Sequence, residues 1–125
     1  MELYPIGIVK SQYNKRKEAP RQGRRSENKS IIKIFKKYRD GLKGIEKYKY
    51  LIVLYWMDRG NRDVLVVKRG GVFATRSPDR PNPIGMCLVK LEKVEGNKLI
   101  VKWLDALNGS PIIDIKPYFK DLDSI

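Results

Sequence analysis

The sequence predicts a mainly β fold, a single sheet closed into a barrel and accompanied by one short helix. Three observations carry this expectation. Several short segments alternate apolar and polar residues with period two. One run, Tyr50 to Met57, is apolar at every position and calls for cover on both faces, which marks it as the centre of the core. No repeat, low-complexity tract or flexible linker divides residues 1–125, so one domain is expected, and closure is the economical way for one sheet to lose its exposed edges.

The candidate strands are Leu3 to Ser11, Ile31 to Phe35, Lys49 to Met57, Val64 to Lys68, Cys87 to Val94, Lys98 to Leu104 and Ile112 to Lys116. In the fifth, Cys87, Val89 and Leu91 share one face and Lys90 and Glu92 the other, as in a sheet with one wet side. Glu95-Gly96-Asn97 then makes a tight turn into the sixth. The helix is expected over Tyr38 to Tyr48, where Leu42, Ile45 and Tyr48 recur at threes and Asp40 is placed to cap its start; Gly41 and Gly44 weaken it.

Composition narrows the chemistry. The chain has no histidine, which excludes imidazole relays and His-ligated metals within it. Cys87 is alone, so neither an internal disulfide nor a thiolate zinc site can be built, and it reads as a buried filler. No stretch approaches a membrane span and the amino terminus lacks a signal-peptide layout, so a cytoplasmic protein without membrane or metal is expected. Neither a phosphate-binding GxxxxGK loop nor a GxGxxG fingerprint occurs.

Charge points to a partner. The formal net charge is +13, and residues 1–50 hold 15 Lys/Arg against 5 Asp/Glu, the remainder 12 against 9. The densest stretch, Lys15 to Lys29, lacks strand or helix periodicity and contains Pro20 and Gly23, so it reads as a loop. Any single lysine there could be merely solvated. Together, the cations suit a polyanion such as an RNA backbone.

Two further constellations are candidates for a site. Between Gly70 and Gly85, prolines at 78, 81 and 83 stiffen a segment able to hold Arg76, Arg80 and Asn82 in fixed positions, and the two guanidiniums suit carboxylate or phosphate. The competing reading is strand termination, with an arginine paired to Asp79. Toward the carboxyl end, Asp105-Ala106-Leu107-Asn108-Gly109 forms a polar turn with backbone groups available to a flat ligand, although a plain hairpin turn would look the same. Asp114 and Lys116 then share one side of a strand, Ile113 and Ile115 the other, with Tyr118 close by. They suit either proton handling or a simple ion pair.

Read together, Pro5-Ile6-Gly7, Pro20-Arg21-Gln22-Gly23, Gly71-Val72-Phe73-Ala74-Thr75-Arg76-Ser77, Arg80-Pro81-Asn82-Pro83-Ile84-Gly85 and Asp114-Ile115-Lys116-Pro117-Tyr118 resemble the TsaA-like (TrmO) family of S-adenosylmethionine-dependent tRNA methyltransferases, nearly end to end. The resemblance implies a single-sheeted β-barrel, a homodimer, S-adenosylmethionine as cofactor and a tRNA anticodon arm as partner. The implied reaction is N6-methylation of threonylcarbamoyl-adenosine beside the anticodon. Carried over by position, the cofactor would be held by Pro20, Arg21, Gln22, Asp58, Arg59, Arg76, Met86, Asp105, Ala106, Leu107 and Asn108. Asp114, Lys116 and Tyr118 would serve catalysis. One departure stands out: where many members end the central strand with an aromatic residue and histidine, this chain has Trp56-Met57-Asp58. A noncatalytic module that binds S-adenosylmethionine or RNA is the alternative, and a purely electrostatic RNA-binding barrel a third reading.

Overall fold

The structure is a computed structural model, and it describes residues 1–19 and 27–125. Among the described residues eight strands follow in chain order: β1 (Gly7–Lys10), β2 (Lys29–Ile34), β3 (Tyr50–Trp56), β4 (Val66–Val67), β5 (Gly70–Gly71), β6 (Ile84–Glu95), β7 (Lys98–Lys102) and β8 (Pro111–Pro117). Six of them close a barrel in the order β1-β2-β7-β6-β3-β8, with β8 pairing back onto β1 and every pairing antiparallel. Closure leaves no long edge for another chain to extend.

Alternation decides which residues enter the barrel. Leu51 and Val53 of β3, Val89 of β6, Leu99 and Val101 of β7, Ile32 of β2 and Ile112 of β8 are all 0% exposed, and they share the interior with Ile34, Val9 and Tyr55. Each such side chain contributes roughly 1.5–3 kcal/mol by leaving water, so this layer is the main source of stability. The outward residues of β3, Tyr50, Ile52, Leu54 and Trp56, are only half-buried. The second apolar face of that strand is therefore partly open.

Several expectations are corrected. The segment Val64 to Lys68 is no barrel strand: β4 pairs only with β5 in a two-stranded hairpin off the barrel. The Tyr38 to Tyr48 helix is absent. Its place is taken by 3-10 turns over Lys36–Leu42 and Ile45–Lys47, because Gly44 lies at φ +85, left-handed, and breaks the run. Asp40 caps nothing there; its carbonyl accepts the Lys43 N–H inside the first turn. The one α-helix among the described residues is α1, Lys120–Asp123.

Strand β8 also departs from simple alternation. Ile112 and Ile115 both pack on the core, three residues apart, because the β3–β8 register slips between Leu54 and Tyr55. Ile113 is thereby turned from the inner face that Ile115 keeps, while Asp114 and Lys116 stay together outside. Past β7, Trp103 adopts φ +78, a left-handed backbone unfavourable for a bulky residue. Such strain costs of order 1–3 kcal/mol. It sends the Trp103 ring outward onto Tyr50 while Leu104, 2% exposed, fills the core.

Candidate functional site

The end of β3, the start of β6, the loop after Trp56, the proline segment and residues 104–107 converge on one cleft of 810 Å³. That is the size of an ordinary small-molecule site. Its floor is set by a close approach. A Cβ on Gly85 would lie 2.5 Å from the Tyr55 ring, so only glycine lets that ring lie across β6. The Tyr55 hydroxyl then donates to Asp105 Oδ1 at 2.6 Å. Cys87, beside them, donates its thiol proton to the Trp103 carbonyl at 2.9 Å.

Burial governs the electrostatics here. Desolvation raises Asp105 above the usual carboxylate range, although the Tyr55 hydrogen bond and the nearby Arg76 charge work the other way. Tyr55 is pushed far up by burial and by the Asp105 charge, so it remains a donor. Cys87 is pushed up to about 12, first by burial and then by Asp105. Its thiolate is negligible at neutral pH.

The proline segment divides its two arginines between different tasks. Arg80 is turned back on its own loop: Nη1 donates to the Thr75 and Ser77 carbonyls, both at 3.1 Å, and Nη2 to the Val72 carbonyl at 2.8 Å. Asp79 is paired not with Arg80 but with Arg16 at 3.5 Å, and it also accepts the Asn61 N–H. Asn82 accepts from Arg62 at 3.1 Å, while the Arg62 guanidinium lies 5.2 Å from the Trp56 ring. Arg76 makes no hydrogen bond or ion pair among the described residues and lines the cleft. Among the described residues it is the cleft guanidinium without a hydrogen bond or ion pair.

Of the nominated cofactor residues, Asp58, Arg59, Arg76, Met86, Asp105 and Leu107 line this cleft together. Ala106 does not; it is 1% exposed within the core, and its carbonyl accepts the Ser11 hydroxyl. Asn108 lies outside the lining as well. Its side chain accepts the Ser11 N–H at 3.1 Å and its own N–H donates to the Tyr13 carbonyl at 2.6 Å, so Asn108 straps the end of β1. Pro20, Arg21 and Gln22 lie outside the described residues. Among the nominated catalytic residues Tyr118 lines the cleft, whereas Asp114 and Lys116 stand on the outer wall as an ion pair at 2.7 Å. That pairing holds Lys116 above its ordinary value.

Sequence reasoning did not nominate Tyr55, Gly85, Cys87, Ile52 or Leu88, which also line the cleft. Tyr55 and Cys87 were hidden in apolar runs that look like pure core. The one available signal was the glycine directly following Asn82-Pro83-Ile84.

A small β-barrel with a cleft lined by both charged and apolar side chains, where Arg76 has no hydrogen bond or ion pair among the described residues and Asp105 is partly buried, suits the class of small charged ligands. The comparisons make that class specific. Residues 8–124 match the model of the tRNA-methyltransferase O N-terminal domain, and the chain belongs to that family of S-adenosylmethionine-dependent methyltransferases. It is 55% identical to an S-adenosyl-L-methionine-binding protein of Archaeoglobus fulgidus, over 100% of this chain and 94% of that one. It is 35% identical to the tRNA (adenine(37)-N6)-methyltransferase of Rattus norvegicus, over 96% of this chain but 31% of the rat protein. Among solved structures, one of TrmO superposes with a TM-score of 0.89 at 30% identity, over 100% of this chain and 60% of that chain. The closed mainly β barrel is thus the fold of the family.

Proposed function

We propose that this chain binds S-adenosylmethionine in the barrel cleft and transfers its methyl group to N6 of threonylcarbamoyl-adenosine beside the anticodon of a tRNA, as a cytoplasmic homodimer. The observation that carries the reading is the placing of Arg76 and Asp105 in one cleft with Ile84, Met86 and Leu88. S-adenosylmethionine carries a carboxylate, two cationic centres and a flat base. Arg76 suits the first, Asp105 the second, and Ile84, Met86 and Leu88 the third. Relatives named for binding this molecule and for methylating adenine 37 of tRNA support the choice.

The bound donor supplies an activated methyl group, and the chain supplies placement. Tyr55 orients the Asp105 carboxylate, Gly85 keeps room for that ring, and Arg80 braces the backbone that presents Arg76. Such positioning can contribute several kcal/mol toward the barrier. The acceptor nitrogen loses one proton as it gains the methyl group; the Asp114 carboxylate, or the phenolate of Tyr118 at the cleft wall, would accept it. Asp114 and Lys116 neutralise each other beside that position. Two copies would meet over the half-open outer face near Leu54, Ile84 and Met86, of which Met86 is 53% exposed. The basic Lys15 to Lys29 stretch would contact the anticodon arm.

The test is transfer of labelled methyl groups to tRNA carrying threonylcarbamoyl-adenosine, with the same tRNA lacking that modification as control, and sedimentation for the oligomeric state. Label confined to the modified tRNA is expected. Tight donor binding without any transfer would leave the noncatalytic reading, which the name of the Archaeoglobus fulgidus relative favours.

A further inference from the structure

Beside the cleft, which Tyr118 also lines, five aromatic rings gather on one stretch of the outer barrel wall. Tyr50 begins β3 and faces outward because its neighbour Leu51 faces in. Trp103 stacks on it with ring centroids 5.7 Å apart and planes 12° apart, and Tyr118 meets its edge at 6.5 Å and 87°. Next to these, Tyr48 and Phe119 form an edge-on pair at 5.9 Å and 75°. Those last two rings are 37% and 43% exposed. None of the five belongs to the barrel core. The strained Trp103 backbone is what carries its ring to this wall.

Cations surround the row. Lys49 Nζ lies 5.7 Å from the Tyr50 centroid, and Lys90 is the direct cross-strand partner of Tyr50. Lys47 and Lys120 adjoin Tyr48 and Phe119 in the chain. None of these four lysines forms an ion pair among the described residues. Several neighbouring acids are occupied: Glu92 is held by Lys102, Asp114 by Lys116, and Asp123 accepts the Phe119 N–H. Glu46 and Asp121 adjoin Lys47 and Lys120 in the chain.

We infer that this row is a stacking platform for unpaired bases of an RNA loop, leading to the cleft at Tyr118. The inference rests on the tRNA reading above and assigns it a contact surface. Aromatic rings take any base on its π face, while the lysines between them meet the phosphates. A second copy of the chain is a poorer occupant, because it would bring these unpaired lysines against their own counterparts.

The experiment uses the full chain, a short RNA stem-loop with an unpaired loop, and a fully paired duplex of equal length. Tyr48→Ala and Phe119→Ala remove exposed rings outside the cleft. Each is expected to weaken stem-loop binding about fivefold or more, as loss of one stacked base would. Duplex affinity, donor affinity by calorimetry and sedimentation should stay as in the parent. Lys49→Gln should flatten the salt dependence of stem-loop binding by about 0.7 in the log–log slope. The inference is overturned if the Tyr48→Ala/Phe119→Ala double variant binds the stem-loop like the parent, or loses loop and duplex alike. A changed oligomeric state with unchanged RNA affinity would mark the wall as a subunit contact and overturn it too. If the parent methylates tRNA while the double variant is unaffected, only the platform fails; if the parent binds no RNA, the tRNA reading fails with it.

Discussion

Arg76 and Arg80 lie four residues apart in one loop, and the structure gives them separable tasks. Arg80→Met removes three hydrogen bonds, to the carbonyls of Thr75, Ser77 and Val72. The Val72 carbonyl keeps the N–H and hydroxyl of Thr75, so two carbonyls lose their donor. A hydrogen bond from a charged group is worth ~1.5–3 kcal/mol, and the loop is only half-buried, which sets the loss at about 2–3 kcal/mol. For a chain of this length the unfolding midpoint should fall by about 10 °C. Arg76→Met breaks no hydrogen bond or ion pair among the described residues, although it removes a charge near Asp105, and should lower stability by less than Arg80→Met does. It should weaken S-adenosylmethionine binding by about tenfold or more, the worth of one charge-assisted contact. Thermal unfolding and calorimetry on the two variants form a crossed pair. Equal stability of Arg80→Met and the parent, or equal destabilisation by both, would refute the division.

Gly85→Ala should cost ~1–3 kcal/mol by overpacking, since the new methyl lies 2.5 Å from the Tyr55 ring; in a Tyr55→Leu background the same substitution should cost much less in urea unfolding, and an equal cost would count against the contact. Cys87, at about 12, should react with iodoacetamide at pH 8 about a thousandfold more slowly than a free cysteine, which mass spectrometry of the native chain can time. Because burial raises Asp105, the folded chain binds its proton more tightly than the unfolded chain does, so this residue favours folding below its unfolded value and loses that contribution as pH rises through its folded value. Donor binding needs the ionised form; affinity should therefore decline on acidification at a higher pH than an ordinary aspartate would cause. Asp105→Asn should bind weakly and show no such limb in calorimetry across the acid range.

The strands were legible because apolar alternation reports burial directly. Leu51 and Val53 are inside for the reason their spacing announces. The register slip in β8 was not legible, since Ile112, Ile113 and Ile115 are chemically alike and only pairing with Leu54 and Tyr55 decides which enter the core. The helix over Tyr38 to Tyr48 failed at Gly44, where backbone freedom outweighed a short periodicity. In the site, the proline segment and Asp105 could be nominated from the sequence. Tyr55 could not, because a tyrosine in an apolar run looks the same whether its hydroxyl is idle or holds a carboxylate.

What the sequence determined by itself was the β character of the chain, its cationic surface, the absence of imidazole chemistry and, through its motifs, a family. What the tertiary structure decided was which polar groups are already spent. Arg80, Asn108 and the Asp114–Lys116 pair are satisfied within the fold, while Arg76 faces the cleft without a described partner. Residue type fixes which hydrogen bonds and charges a side chain can offer. Whether they remain on offer depends on neighbours that lie far apart along the chain and meet only when the barrel closes.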